Sequence, residues 1–156
     1  MRRGFGVLEI LVASAVISTA FVSLFFVFVL SQRAVFRASE KVRANFIAEE
    51  GLEVMRHLRD RSWGAHLAGL TADTNYYLAF DAENSAWGIT ASNPGLIDGV
   101  FDRTVRVTPV MRDVGSDDVV ESGGVVDPDT WKVAVVVSWS SNPVSAETYI
   151  NDMFDN

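Results

Sequence analysis

Apolar and polar positions divide the chain into three regimes. Between Ile10 and Leu30, 17 of 21 residues are apolar, and the exceptions are the hydroxyl side chains Ser14, Ser18, Thr19 and Ser23. No charge appears from Ile10 to Gln32. At about 1.5 Å per residue, a helix of this length matches a hydrocarbon layer of about 30 Å, and it lacks the ionic face of a helix that packs in a water-soluble protein. The pattern therefore predicts a transmembrane helix half over residues 5–32. From Arg33 to Arg61 there is no proline and one glycine, Gly51. Ile47, Gly51, Val54, Met55 and Leu58 recur at i, i+4, i+7, i+8 and i+11, so residues 33–61 read as an amphipathic continuation of the same helix, with Gly64 as its stop.

Beyond Gly64 the spacing shortens. Asn75–Phe80, Ala86–Thr90, Val100–Met111 and Thr130–Trp139 read as strands, with Ala146–Ile150 as a short last one. Phe101, Thr104 or Val105, and Val107 alternate on one strand, and Val133, Val135 and Val137 share a face of another. Pro109 marks an edge strand or the end of a pairing. Asn93-Pro94-Gly95, Gly123-Gly124, Asp127-Pro128 and Asn142-Pro143 read as turns. The expected product is an α+β protein: a long N-terminal helix, apolar in its first half, packed on an antiparallel sheet of about four strands within residues 62–156. No internal repeat is visible.

Composition sharpens this picture in two ways. The 156 residues carry a formal net charge of −7, but the charge is unevenly placed. Residues 1–61 hold nine basic and six acidic side chains, whereas residues 62–156 hold four and fourteen, a net of −10. So acidic a domain is a poor nucleic-acid binder, and no nucleic-acid partner is expected. The chain has no cysteine, which excludes thiolate metal sites, thiol catalysis and disulfide staples.

One charge breaks the N-terminal pattern. Glu9 stands at the start of the apolar run, where a carboxylate costs on the order of 2–3 kcal/mol unless it is paired or reaches the interface. Alone, it reads as an interfacial glutamate near a helix N-terminus, favoured by the macrodipole. It is not alone: Arg2-Arg3-Gly4-Phe5 precedes it, and no small-residue cleavage site follows Leu30. A short basic leader ending in glycine, then phenylalanine, then glutamate as the fifth residue counted from Phe5, then an apolar helix, resembles the N-terminus of type IV prepilins and pseudopilins.

The resemblance implies a four-residue leader (1–4), cleavage of the Gly4–Phe5 bond by a membrane-embedded prepilin peptidase, and N-methylation of Phe5. It implies the pilin fold, with the N-terminus cytoplasmic, insertion in the inner membrane, and later an extracytoplasmic filament. Expected partners are the peptidase, other pilin or pseudopilin subunits, the inner-membrane assembly platform and membrane lipid. Glu9 would meet the Phe5 ammonium of a neighbouring subunit. The sequence departs from many major pilins in having Phe26 where they carry a kinking proline, and in lacking the cysteines of a C-terminal disulfide loop, which favours a minor subunit or another lineage. A different reading of the same residues is a monomeric single-span anchor displaying an extracytoplasmic binding or sensing domain.

Other chemistry is weakly signalled. Asp117, Asp118, Glu121, Asp127 and Asp129 form an acidic glycine-containing loop that could hold calcium through carboxylate and carbonyl oxygens, although the EF-hand spacing is missing and a solvated turn is the simpler reading. His57 and His66 have no third ligand in register. There is no nucleophile elbow, P-loop or dinucleotide fingerprint. Neither catalysis nor a cofactor is expected. Of the tryptophans, Trp63, Trp87, Trp131 and Trp139, those in strands read as core.

Overall fold

Residues 6–140 and 142–153 are described by a computed structural model. Helix α1 spans Val7–Arg61 without interruption. Ser62 ends it by adopting an extended backbone, φ −176° and ψ 115°, and its hydroxyl accepts from the Ala65 amide at 3.3 Å to cap the one-turn helix α2 (Trp63–His66). The break thus lies two residues before Gly64, which sits inside α2 instead of stopping α1.

Six strands follow: β1 (Asn75–Asp81), β2 (Ala86–Thr90), β3 (Asp102–Arg112), β4 (Val119–Val120), β5 (Val125–Trp139) and β6 (Asn142–Asn151). They form one antiparallel sheet in the order β2-β1-β3-β5-β6, with β4 added beside β3. The expected sheet of about four strands is therefore corrected to six. β4 is a two-residue strand that pairs Val119 and Val120 with Arg112 and Met111, too short for any alternation to show.

Proline placement supplies three further corrections. Asp127-Pro128 does not turn the chain. The register passes from Pro109↔Trp131 to Val110↔Asp127, so Pro128, Asp129 and Thr130 are the surplus residues of an irregularity inside β5. Pro109 lies on a central strand, but β1 pairs β3 only at Val105 and Arg106, and β4 only at Met111 and Arg112. The flank at Pro109 is left without a strand, and there a missing N–H costs no ladder bond. Asn142-Pro143 does not turn the chain either: both residues pair with β5 at the start of β6, an edge strand, and Ser140 takes the left-handed conformation (φ 52°) before it. The Asn93-Pro94-Gly95 turn forms as read, with the Gly95 amide donating to the Asn93 side chain at 2.8 Å and Gly95 at φ 106°.

The chain divides into two units, Met1–Lys41 and Val42–Asn156. In the second, the last part of α1 lies on the sheet. Ala44, Ile47, Ala48, Leu52, Val54, Met55 and Leu58 share a core with Phe101, Val105, Val107, Val133, Val135, Val137 and Ile150. The face read from the 3.6-residue period and the valine face of β5 are the surfaces that meet. Each fully buried side chain of this size contributes about 1.5–3 kcal/mol relative to exposure.

Gly51 sets the closeness of that contact. A Cβ there would stand 2.8 Å from Val135 Cγ1 and 3.2 Å from Arg103 Cδ. Glycine weakens a helix interior by about 1 kcal/mol relative to alanine, so its use at this position is explained by packing.

Candidate functional site

In the first unit, α1 is bare. Every large apolar side chain from Val7 to Phe28 is exposed, as is Leu30, and no residue of the most apolar window is buried. This is the one helix among the described residues that is long and apolar enough to cross a membrane. Its polar atoms are satisfied internally. Ser14 Oγ donates to the Leu11 carbonyl (2.9 Å), Ser18 Oγ to Ser14 (2.7 Å), Thr19 Oγ1 to Val16 (2.8 Å) and Ser23 Oγ to Thr19 (2.9 Å). With the backbone paired along the helix and the hydroxyls folded back on it, the stretch suits hydrocarbon, where unpaired polar groups are costly.

Glu9 is the exception. It lies in the first turn of α1, is exposed, and its amide donates to the Gly6 carbonyl at 2.9 Å. It is the only ionic side chain between Arg3 and Arg33. The site therefore consists of one carboxylate at the end of an apolar rod. Gly4 and Phe5, the residues of the expected cleavage, lie outside the described residues.

The acidic loop organises around a cation supplied by the chain. Arg112 Nε donates to Asp127 Oδ2 at 2.6 Å, and its Nη1 donates to the Asp117 carbonyl at 3.0 Å. Asp127 Oδ1 also accepts from the Asp129 amide at 3.0 Å. Asp118 contributes its carbonyl to the Asp113 amide (2.9 Å), and Asp117 takes φ 60° to close the hairpin. Asp113, which the sequence reading left out, caps the turn by accepting from the amides of Gly115 and Ser116, both at 2.9 Å. Of the acidic side chains read in this loop, Asp117, Asp118, Glu121, Asp127 and Asp129, Asp127 is ion-paired with Arg112, and the Asp117 charge also acts on that guanidinium. Among the described residues, no three acidic or histidine side chains gather as metal ligands.

Three carboxylates are held below the ordinary range. At Asp127 burial pushes the carboxyl up, but the hydrogen bonds from Arg112, Thr130 and the Asp129 amide, with the Arg112 charge, outweigh it. At Asp113 the Ser116 and Gly115 amides do the same, and at Asp81 the Asn84 side chain and the Asn84 and Glu83 amides. Depressed folded-state values add stability that is complete above the unfolded value, about 3.9, and is lost as pH falls through the folded one. The midpoint of thermal unfolding, followed in detergent, is thus expected to drop on acidification below about pH 4. Asp127→Asn should lower the neutral-pH midpoint and flatten that acid limb; an equally steep limb in the variant would show that Asp127 does not contribute to it.

The remaining candidates are structural in their placement. Trp63 and Trp139 are buried, and Trp139 packs on Phe101 at 5.7 Å between ring centroids. Trp87 and Trp131 are half-buried at the core margin, and Trp87 meets Phe80 at 5.3 Å. His57 is exposed and His66 half-buried in the last turn of α2.

Arg103 belongs to the core without any motif that marks it. It is 6 % exposed, between sheet and helix, with Nη1 3.3 Å from the Ile47 carbonyl and 3.2 Å from Glu50 Oε1. Its Cζ lies 5.5 Å from the centre of the Trp87 ring. The available signal was parity: Phe101, Arg103, Val105 and Val107 alternate, so Arg103 occupies an inward position. No family model, no curated protein and no solved structure matches the chain.

Proposed function

We propose that the chain is a structural subunit, a minor pilin or pseudopilin, of a type IV pilus or a type II secretion-like filament. In this reading a prepilin peptidase removes residues 1–4 at the Gly4–Phe5 bond and methylates the new amine of Phe5. The subunit first crosses the inner membrane with its N-terminus cytoplasmic. It then enters an extracytoplasmic filament through α1, delivered by an assembly platform in the membrane.

The observation that carries the reading is Glu9. A carboxylate at the start of an otherwise uncharged apolar helix, with its side chain exposed, has no use in a plain anchor. It is useful where a cation arrives from another copy. The Phe5 amine becomes such a cation only after cleavage, because before it that nitrogen is a neutral amide. Opposite charges brought together in apolar surroundings attract strongly, and removal of one leaves the other uncompensated, so the pair fixes the axial register between subunits. The long helix that is bare in its first half and covered by an antiparallel sheet in its second also supports the reading, since an assembled subunit needs a free apolar surface.

Co-expression with a prepilin peptidase tests it. The mass of the mature chain should fall by Met1–Gly4 with one methyl group gained, and a bulky substitution of Gly4 should block the change. Glu9→Ala should be cleaved normally yet fail to enter filaments. An intact N-terminus, or cleavage after Leu30, overturns the proposal in favour of an anchored monomer or a secreted domain.

A further inference from the structure

The segment that leaves the apolar stretch is basic in a regular way. Past Leu30 the helix continues through Arg33, Arg37 and Lys41, one cation every four residues, all exposed. This spacing places them on one side of α1. Val35 and Phe36 lie among them, 61 % and 69 % exposed. Glu40 is the only acidic side chain between Leu30 and Lys41. The segment is interior to α1, so helix-end dipoles play no part and the side chains alone set the local charge.

Depth can be assigned by arithmetic. Ile10–Leu30 covers about 31 Å, close to the hydrocarbon thickness of about 30 Å. For a helix along the membrane normal, Arg33 then lies about 4.5 Å beyond Leu30, Arg37 about 10 Å and Lys41 about 16 Å. The polar layer on each side is about 5–7 Å deep, and long basic side chains bend back towards it along their apolar stems. Arg33 and Arg37 therefore reach the phosphate plane, Lys41 stands a few ångströms outside it and adds to the local potential within a Debye length, and the Phe36 ring lies at the interface. Net charge past Arg61 is strongly negative, so this cationic segment contrasts with the domain that follows it.

We propose that Arg33, Arg37 and Lys41 form a collar that binds the headgroup phosphates of anionic phospholipid, in the leaflet at the C-terminal end of the span. The inference rests only on α1 crossing a membrane, and holds for a subunit awaiting assembly and for an anchored monomer alike. The alternative occupant, the acidic domain of a second copy, would have to reach cations held at phosphate depth, where lipid is already in contact. Basic segments beside a membrane attract anionic lipid by Coulomb forces that fade within a Debye length.

The test uses the full chain in phosphatidylcholine vesicles containing trace spin-labelled phosphatidylglycerol or phosphatidylcholine, reading the fraction of each label immobilised at the protein. At low salt the wild-type chain should prefer phosphatidylglycerol about threefold or more. The variant Arg33→Gln/Arg37→Gln/Lys41→Gln should fall towards no preference, as should the wild type at about 1 M salt, where the screening length is about 3 Å. Arg2→Gln/Arg3→Gln should keep most of the preference. Carbonate extraction, run in parallel, reports the span separately: a chain that is extracted lacks the span, and the collar falls with it. An inserted chain whose preference survives the triple substitution, or disappears only with Arg2 and Arg3, overturns the collar and leaves the filament reading untouched. Equal immobilisation of both labels by the wild type also overturns it.

Discussion

Gly51→Leu is expected to destabilise the sheet-bearing unit by about 3 kcal/mol or more, and Gly51→Ala by about 1 kcal/mol. The asymmetry follows from what each side chain meets. The first added carbon already lies 2.8 Å from Val135 Cγ1, inside any real contact distance, and Val135 has no freedom to yield. It is fully buried, β-branched, and paired with Val105 on one side and Ala146 on the other. Alanine regains about 1 kcal/mol of helix propensity against this clash, whereas leucine adds three further carbons with nowhere to go. Trp63, Trp87, Trp131 and Trp139 all belong to the sheet-bearing unit, so tryptophan fluorescence during denaturant unfolding in detergent reports its stability directly. Gly69, with open space around it, is the control: Gly69→Ala should shift the midpoint little. Combining Val135→Ala with Gly51→Ala should cost less than the sum of the two single changes, giving a non-additive pair. Additive losses would show that the helix does not approach the sheet at this point.

The same residue marks how far the amino-acid pattern alone can be read. Gly51 falls on the buried helical face by period, beside Ile47, Val54, Met55 and Leu58, and all five are buried. Val133, Val135 and Val137 are equally legible, because a one-residue slip would turn three valines to solvent. Period identifies the face but says nothing about distance. That a side chain is excluded at Gly51 follows only from the position of Val135 opposite it.

The strands were less legible for physical reasons that differ from case to case. β4 has two residues, less than one full alternation. β5 starts at Val125 because the irregularity at Pro128–Thr130 absorbs the Asp-Pro pair that reads as a turn. Pro143 is tolerated in β6 because that strand is an edge. Local chemistry at such positions is the same in a turn and in an irregular strand, and only the partner strand decides between them.

At the candidate sites the limits were of another kind. Glu9 was visible because it interrupts an uncharged run. The acidic loop was visible as composition, yet its organisation depends on Arg112, fifteen residues from Asp127, and on the Asp113 cap, neither of which carries a metal-binding signature. Arg103 was hidden by its charge, since an arginine between Asp102 and Thr104 reads as solvent-facing although its parity points inward.

Arg103 gives the second large effect, and the expected order of variants runs against simple charge counting. Arg103→Glu should cost about 4 kcal/mol or more, unfolding the sheet-bearing unit or lowering its midpoint steeply. It would bury a carboxylate facing the Ile47 carbonyl and Glu50, with no donor of the chain's own replaced. Arg103→Met, by contrast, should be within about 1 kcal/mol of wild type. Methionine keeps much of the aliphatic stem that lies near Gly51 and Trp87, and it removes a cation whose Nε is buried without a hydrogen-bond partner. Glu50 would lose little on being left alone, because its side chain is 52 % exposed and water can take over its solvation. The reverse deletion is less favourable. Glu50→Ala leaves the guanidinium, on a side chain only 4 % exposed, with the Ile47 carbonyl and the Trp87 ring as its remaining partners. That variant should cost about 1–2 kcal/mol, more than Arg103→Met, even though Glu50 is the more exposed member of the pair. Combining Glu50→Ala with Arg103→Met should cost less than Glu50→Ala alone, since the stranded cation is gone. Denaturant unfolding of the four chains measures the order. If Arg103→Met were the more damaging single change, the buried arginine would be a net source of stability, and its desolvation cost would be smaller than its contacts return.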